Sequence, residues 1–280
     1  MVSSLNGILM PGGSNSVTHS DFAQAADYLI EAAVQANTNG THFPLWGTCL
    51  SFQKLISHFT GNNVAWMSFC DIENVALNLD IDSKQLSQYK LFSWAAESGR
   101  IVEILNRSPV TANYHKWCLN VTEFENNKNI SDNFRKVSTN TFGGHHFVST
   151  VEHKNYPFFG SAWHPEKNQF EFVVNAHKGN LSHSLEAVQV GQFFANFIVN
   201  EARKNSNHFK NKLEEGKHLI YNYNGQYRVY TGLDANAVFE EEYRFPLHFS
   251  GKSGAAQVCM CKWLLVVLLA VILGFTQLNI

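Results

Sequence analysis

A single cysteine stands where an apolar run gives way to a helical pattern. The segment HFPLWGTCLSFQKL predicts a strand at Phe43 to Trp46 and a helix that begins at Leu50. Cys49 falls on the turn between them, where the backbone N–H groups and the dipole of the helix favour a thiolate, the nucleophilic form of cysteine. Gly47 permits the close backbone approach that such a turn needs. The pattern predicts a catalytic nucleophile, and a buried structural cysteine is the alternative interpretation.

A nucleophilic cysteine needs a base, and the sequence GSAWHPEK supplies a candidate. His164 directly follows a predicted strand, Phe158 to Trp163, which Pro165 prevents from continuing. The imidazole is therefore expected at a strand end and not in the middle of a sheet. Glu166 is placed to accept the other ring N–H and fix the tautomer, as the third member of a triad does. Cys49 and His164 are far apart in the chain and meet only if the fold brings them together.

The same chemistry needs donors for a developing oxyanion. A Pro11-Gly12-Gly13 loop follows a predicted buried strand, Gly7 to Met10, and its backbone N–H groups are candidates. The N–H of Leu50, at the start of the predicted helix, is a third candidate donor. A tight turn with no catalytic role is the other interpretation of the two glycines.

Alternating strand and helix patterns must position these groups. After the first strand, the stretch SDFAQAADYLIEAAVQA places five apolar residues on one helical face, namely Phe22, Ala26, Leu29, Ile30 and Ala33. Further strands are predicted around Ala65 to Leu79, Asn113 to Val121, His146 to Val151 and Phe158 to Trp163, and a long helix at Ser184 to Lys204. This alternation is typical of an α/β fold with a largely parallel sheet covered on both faces.

Composition excludes several classes of protein. The chain has 280 residues, of which 45% are hydrophobic and 16% charged, enough to bury a sizeable core. Lys and Arg total 21 against 23 Asp and Glu, so no electrostatic field for nucleic acid is present and no nucleic-acid partner is expected.

Cysteine and histidine spacing predicts no metal site. Five cysteines are too few for a disulfide framework, and no CxxC pair has a matching CxxC or HxxxH. They are Cys49, Cys70, Cys118, Cys259 and Cys261. His145 and His146 are adjacent, but neighbouring residues on a strand point to opposite faces, so they are not expected to share a metal.

The ends of the chain and its sequons give conflicting signals about compartment. No cleavable secretory signal is visible at the N-terminus, yet five Asn-x-Ser/Thr sequons occur, at Asn39, Asn106, Asn120, Asn129 and Asn180. The apolar run WLLVVLLAVILGF, Trp263 to Phe275, fits a GPI-attachment signal preceded by Ser253-Gly254-Ala255, or a single membrane span. A buried terminal helix is the third alternative. We predict a catalytic domain at 1–248, a small-residue linker at 249–257 and a hydrophobic tail at 258–280.

Three elements in order, GILMPGG, PLWGTCLSF and GSAWHPEK, resemble the gamma-glutamyl hydrolases, cysteine peptidases related to the class I glutamine amidotransferases. The segments VTANYHKW and FFANFIVNEARKN reinforce a resemblance that spans roughly residues 5 to 245. It implies a flavodoxin-like mixed sheet with helices on both faces. In that family the elbow cysteine is the nucleophile, matching Cys49, and the histidine of His-Pro-Glu is its base, matching His164. Another functionally important histidine matches His115, which we interpret as a substrate-side group or, alternatively, as a buried core histidine, and the glutamate of His-Pro-Glu matches Glu166.

The resemblance implies hydrolysis of γ-glutamyl bonds of folate or antifolate poly-γ-glutamates through a thioester, in lysosomes or vacuoles or outside the cell. No cofactor is implied, and a homodimer is left open. Lys116 and Lys167 lie near the motifs, but no role is assigned to them. Family members carry a signal peptide and about two strand-helix units before the PGG loop, so we expect an N-terminally truncated or alternative-start form.

Two other functions are compatible with the same residues. A glutaminase domain that feeds ammonia to a synthetase uses the same elbow and the same His-Pro-Glu sequence. A catalytically inactive, membrane-anchored module is the second alternative.

Overall fold

The computed structural model describes residues 2–172, 179–227 and 241–243. The strands are β1 (Ile8–Met10), β2 (Leu45–Thr48), β3 (Met67–Leu77), β4 (Thr111–Leu119), β5 (Phe134–Phe142), β6 (His145–His153), β7 (Phe158–Ser161), β8 (Gly225–Tyr227) and β9 (Glu241–Tyr243). The α-helices are α1 (Asp21–Thr38), α2 (Leu50–Phe59), α3 (Ser98–Arg107), α4 (Val121–Asn126), α5 (Lys128–Ser131), α6 (Leu185–Ala202) and α7 (Lys212–Gly216). Short 3-10 helices lie at Val2–Ser4, Ser83–Gln88 and Ile220–Asn222.

The predicted linker and hydrophobic tail lie outside the described residues. Among the helices that are described, none is both long enough and apolar enough to cross a membrane.

The central sheet has five strands in the order β1-β2-β7-β6-β5. β1, β2 and β7 are parallel neighbours, whereas β6 pairs antiparallel with both β7 and β5. This arrangement confirms the predicted α/β class with a mixed sheet. Two antiparallel pairs, β3 with β4 and β8 with β9, form separate two-stranded sheets.

Alternate residues of the central strands belong to two different hydrophobic clusters. Leu45 and Phe158 belong to a cluster with residues of α1 and α2, whereas their chain neighbours Trp46 and Phe159 belong to a cluster with residues of α3 and α6. All four side chains are buried. Because strand side chains alternate between faces, helices cover both faces of this sheet, as predicted.

Helix α1 forms where its apolar period and its cap coincide. Ser20 accepts a hydrogen bond from the N–H of Ala23 at 3.1 Å, which satisfies one of the free donors at the helix start. The predicted face is buried at Phe22, Ala26, Ile30 and Ala33, and half-buried at Leu29. The long helix predicted at Ser184 to Lys204 is likewise present as α6, capped by Ser184.

The antiparallel β3–β4 pair, whose strands are joined by a long connection that contains α3 and which we call the outer hairpin, is irregular. Its register shifts twice, and Asp71 (φ 46°) and Asn74 (φ 57°) adopt the left-handed conformation that side chains usually avoid. A disulfide joins Cys70 of β3 to Cys118 of β4. The sequence analysis did not anticipate this bond, because the pairing depends on a hairpin register that spacing does not reveal.

Candidate active site

Cys49 occupies the junction between β2 and α2 in a strained backbone conformation. Its φ of 53° and ψ of −105° lie in a region that residues with a Cβ rarely adopt. The N–H of Cys49 donates to the carbonyl of Ser161 in β7 at 2.8 Å, which continues the sheet's hydrogen bonding through the turn. A Cβ on Gly47 would lie 2.6 Å from the backbone oxygen of Ser51, so the turn requires glycine there. The cysteine therefore stands on a sharp strand-to-helix elbow.

His164 is held by backbone and side-chain bonds. Its N–H donates to the carbonyl of Ala112 in the outer hairpin at 2.9 Å, within an isolated antiparallel bridge. Its Nδ1 lies 2.6 Å from Oε1 of Glu166. A Cβ on Gly12 would lie 3.4 Å from Nε2 of His164 and 3.2 Å from Cβ of Cys49, so the other ring nitrogen lies near the cysteine. The structure thus brings Cys49, His164 and Glu166 together in the order that the sequence analysis predicted.

The surroundings of His164 favour its protonated form. Burial lowers the pKa of the imidazole, but the Glu166 carboxylate and then the Cys49 sulfur outweigh this effect and raise the pKa to about 9. Loss of water raises the pKa of Glu166, yet the charge and hydrogen bond of His164 lower it overall. The side chain of Glu166 is 53% exposed, so solvent screens part of this interaction. At neutral pH the ring is therefore protonated, with the Glu166 carboxylate on one side and the Cys49 sulfur on the other.

The glycine loop after β1 passes directly against the reactive pair. A Cβ on Gly12 would lie 2.6 Å from Cε1 of His164 and 3.2 Å from Cβ of Cys49. The hydroxyl of Ser51 donates to the carbonyl of Pro11 at 2.6 Å and ties this loop to α2. Only glycine allows the backbone to lie this close to the side chains of His164 and Cys49.

The other candidate oxyanion donors lie close by. Leu50 is the first residue of α2, so its N–H has no acceptor within the helix. A Cβ on Gly13 would lie 3.2 Å from Cδ2 of Leu50, which places that part of the loop beside the helix start. Assignment of Gly12, Gly13 and Leu50 to an oxyanion site stays a prediction.

Tyr114 is a site residue that the sequence analysis missed. Its backbone carbonyl lies 3.8 Å from Sγ of Cys49, and its ring centroid lies 6.1 Å from that of His164, edge to face. Burial, with a smaller effect of the Glu171 carboxylate, raises the pKa of the phenol to about 12, so the hydroxyl stays protonated. The sequence feature that could have identified Tyr114 is its position in the NYHKW segment, next to His115.

His115 is buried inside the outer hairpin. Its Nδ1 lies 3.8 Å from Sγ of Cys70 and 3.7 Å from Sγ of Cys118, and its ring packs on Phe147. Burial, followed by the charge of His164, lowers the pKa of His115 to about 4, so the ring is neutral. A role of His115 toward substrate stays a prediction.

The two lysines near the motifs differ in exposure. Lys167 is buried, pairs with Glu171 at 3.1 Å and lies 5.7 Å from the ring centroid of Tyr114. Lys116 is exposed and lies 3.7 Å from Glu73. Lys167 therefore belongs to the wall of the site, and Lys116 to the surface of the hairpin.

The sequon asparagines differ in how their side chains are used. Asn39 and Asn129 are exposed. Asn106 uses both amide atoms on the backbone of Ile81, Asn120 caps α4, and Asn180 donates its amide to the carbonyl of Asn74. Glycosylation at any of the five stays a prediction.

The fold and the elbow are those of a class of amidotransferase-like proteins. A family model described as glutamine amidotransferase class-I matches residues 2–173. A solved structure described as a putative GMP synthase protein from Thermoplasma acidophilum covers 71% of this chain and 75% of its own, at 12% identity. Its TM-score of 0.37 is too low to support a structural conclusion.

Individual relatives within that class identify a narrower family. The human gamma-glutamyl hydrolase is 38% identical over 82% of this chain and 69% of its own, and the mouse enzyme 35% over 86% and 72%. Gamma-glutamyl hydrolase B of Dictyostelium discoideum is 31% identical over 80% of this chain and 63% of its own. The chain belongs to the gamma-glutamyl hydrolase family.

Proposed function

We propose that this chain hydrolyses γ-glutamyl bonds, with Cys49 as the nucleophile and His164 as the proton-transfer group. One observation carries the proposal: Cys49, on its elbow, lies beside an imidazole whose Nδ1 is 2.6 Å from Oε1 of Glu166. That is the nucleophile, base and orienting group of a covalent hydrolase. The relatives named gamma-glutamyl hydrolase support the choice of bond.

In the first half of the reaction, the Cys49 thiolate attacks the carbonyl carbon of the substrate's γ-amide. The carbonyl π electrons move to the oxygen, which becomes an anion beside the backbone of Gly12 and the N–H of Leu50. Collapse of this intermediate breaks the C–N bond, and His164 gives its proton to the leaving nitrogen. A γ-glutamyl thioester on Cys49 and a free amine result.

In the second half, water cleaves the thioester. His164, now neutral, takes a proton from water as the oxygen attacks the thioester carbonyl. The C–S bond then breaks, the γ-carboxylic acid of glutamate leaves and gives its proton to solvent, and the sulfur returns to the anionic form beside the protonated ring. The contact between Glu166 and Nδ1 keeps the ring oriented through both halves.

We extend the proposal to poly-γ-glutamates of folates and antifolates as substrates. The family resemblance of the three motifs supports this choice. Each γ-linked unit of such a chain carries a free α-carboxylate, so cationic side chains near the site are expected to contact it.

Glutamine amidotransfer is the second candidate, because the match to the class I amidotransferase family covers the elbow and the His-Pro-Glu segment alike. Both reactions pass through the same thioester. They differ in the amine that leaves, which is ammonia from glutamine and an amino acid or peptide from a γ-glutamyl chain.

Product analysis tests the proposal. Purified protein is incubated with a γ-glutamyl peptide and, separately, with glutamine, and glutamate and ammonia are measured, with Cys49→Ala as the control. Glutamate released from the peptide by the parent protein alone is the expected result. Ammonia from glutamine with an intact peptide would establish the amidotransferase instead, and no product from either substrate would identify an inactive module.

We propose a lysosomal, vacuolar or extracellular location. The Cys70–Cys118 disulfide supports it, since such bonds persist in oxidising compartments, and the exposed sequons at Asn39 and Asn129 are compatible with it. Endoglycosidase treatment of protein made in a secretory host tests this location. A fall in apparent mass is expected, and an unglycosylated protein confined to the cytosol would contradict it.

A further inference from the structure

A cluster of three potential metal ligands lies inside the outer hairpin. Nδ1 of His115 and Sγ of Cys70 and Cys118 all lie within 4.8 Å of one another. All three residues are buried, with exposed fractions of 7% for Cys70, 3% for His115 and 4% for Cys118. The two sulfurs are joined as a disulfide, and in that state they offer no thiolate to a metal. The cluster therefore has two chemical states, of which the structure holds the oxidised one.

The imidazole already lies at a suitable distance from both sulfurs. Tetrahedral zinc with Zn–S of about 2.3 Å and Zn–N of about 2.0–2.1 Å places sulfur and nitrogen about 3.6 Å apart. The Nδ1 of His115 lies 3.8 Å from Cys70 Sγ and 3.7 Å from Cys118 Sγ. Metal binding requires the sulfurs of Cys70 and Cys118 to separate, but it requires little movement of the His115 imidazole.

The backbone around Cys70 can accommodate that movement. The register of the hairpin shifts between Phe69 and Ile72, so Cys70 lies in a bulge and not in a regular stretch of the ladder. Its partner Cys118 lies in a regular stretch, opposite Ser68. The Cys70 side can therefore shift without breaking the regular pairs beside it.

The state of His115 suits a ligand. The ring packs edge to face on Phe147, with ring centroids 5.5 Å apart, and this contact holds Nδ1 near the two sulfurs. Neutral imidazole is the form that binds metal. The Nε2 atom has no hydrogen-bond partner among the described residues, so no protein donor there opposes the tautomer with the proton on Nε2, which leaves Nδ1 free to bind a metal.

We propose that reduction of the Cys70–Cys118 disulfide turns this cluster into a binding site for one soft divalent cation of the Zn²⁺ type. Two equivalents of a small thiol supply two electrons and two protons, the S–S bond breaks, and the small thiol leaves as its own disulfide. The metal then displaces the two thiol protons and is held by two thiolates and His115. The described residues supply three donors, and water takes the fourth position. This inference does not depend on the proposed function.

Cobalt binding tests the site, because Co²⁺ takes zinc-like geometry and its thiolate complexes absorb strongly in the near ultraviolet. The background is the full chain with Cys49→Ala, Cys259→Ser and Cys261→Ser, which removes every other thiol. The protein is treated with a small thiol, separated from it without air, and titrated with Co²⁺ and then Zn²⁺. We expect one Co²⁺ per chain with the thiolate absorption, displaced by Zn²⁺, and no such absorption in protein kept oxidised.

Two variants in that background locate the ligands. Cys118→Ser should abolish the thiolate absorption after reduction, and His115→Gln, in which the disulfide can still form, should weaken Co²⁺ binding without preventing oxidation. A circular dichroism spectrum of each variant shows whether it is folded. Equal Co²⁺ binding by reduced and oxidised protein, or full binding by folded Cys118→Ser, would overturn the proposal.

Discussion

The parallel core and the outer hairpin contribute to one site in different ways. In the core, β2 and β7 are four residues each, fully buried and paired without a register shift. In the hairpin, β3 and β4 run to 11 and 9 residues, with two register shifts and two left-handed residues in β3. The core ends in the two side chains proposed to react, Cys49 and His164. The hairpin adds backbone groups beside them, the carbonyls of Ala112 and Tyr114.

This difference indicates that the core fixes the positions of the site atoms more tightly than the outer hairpin does. A fully buried strand pair leaves little freedom at its carboxyl end, so the reactive atoms are set by the sheet itself. A bulged hairpin stapled by a disulfide can vary in shape while still closing the site. Perturbations of the core should therefore change the chemistry, and perturbations of the hairpin should mainly change the stability.

The largest effect is expected from Cys49→Ala, which removes the nucleophile from the core. We expect kcat/KM on a γ-glutamyl peptide to fall by at least about 10⁴-fold, because no other step forms the thioester. The thermal transition should stay close to that of the parent, since alanine keeps the Cβ of the elbow and removes only a sulfur that forms no disulfide. Retention of more than a tenth of the activity would place the nucleophile elsewhere.

The second effect belongs to the hairpin. Cys118→Ser removes a disulfide that closes a loop with a sequence separation of 48, and this should lower the free energy of unfolding by about 4 kcal/mol. Urea unfolding measures it, with Cys49→Ser as the control for loss of a thiol that forms no disulfide. If kcat/KM fell as steeply as it does in the core variants, the proposed division between the two regions would be wrong.

The third effect tests the glycine loop. Gly12→Ala brings a methyl group to within 2.6 Å of Cε1 of His164, so the ring or the loop must shift. We expect about a 10²-fold loss of kcat/KM, the usual cost of displacing a catalytic group by about 1 Å. Gly99→Ala is the matched control, because nothing lies within 4 Å of its Cβ position. Equal activity of the two variants would show that the loop is not part of the site.

The smallest effect is a change in pH dependence. In the parent, kcat/KM should fall as pH rises through about 9, where His164 loses the proton that it gives to the leaving amine. Glu166→Gln removes the main charge that raises this pKa, so the alkaline limb should move to lower pH. Each pKa unit lost costs about tenfold in activity on the alkaline side of the limb. An unchanged limb would mean that another group sets it.

The sequence predicted the core more fully than the hairpin. Helix α2, the face of α1 and the positions of Cys49 and His164 on strand ends follow from local patterns of apolar spacing, Gly and Pro. The strand before the elbow was predicted at Phe43 to Trp46 and lies at Leu45–Thr48, because a fully buried strand has no alternation to mark its ends.

What the sequence did not predict depends on contacts between distant segments. Strand β5 carries mostly polar and aromatic residues without a clear period and was missed, as was helix α3. The Cys70–Cys118 pairing needs the hairpin register, and the left-handed backbone of Cys49 is imposed by β7 and α2 together. Tyr114 contacts Sγ of Cys49 through its backbone carbonyl, and any residue type supplies a carbonyl, so side-chain chemistry could not single it out.

The single bridge between His164 and Ala112 limits how this machinery can be transplanted. A protein engineer who grafts the elbow and the His-Pro-Glu segment onto another parallel sheet would carry over the two reactive side chains but not the strand that fixes the histidine's main chain. A functional graft therefore needs three segments, namely the elbow, the His-Pro-Glu segment and β4. The host protein must also provide a place beside the sheet where the transplanted β4 can pack.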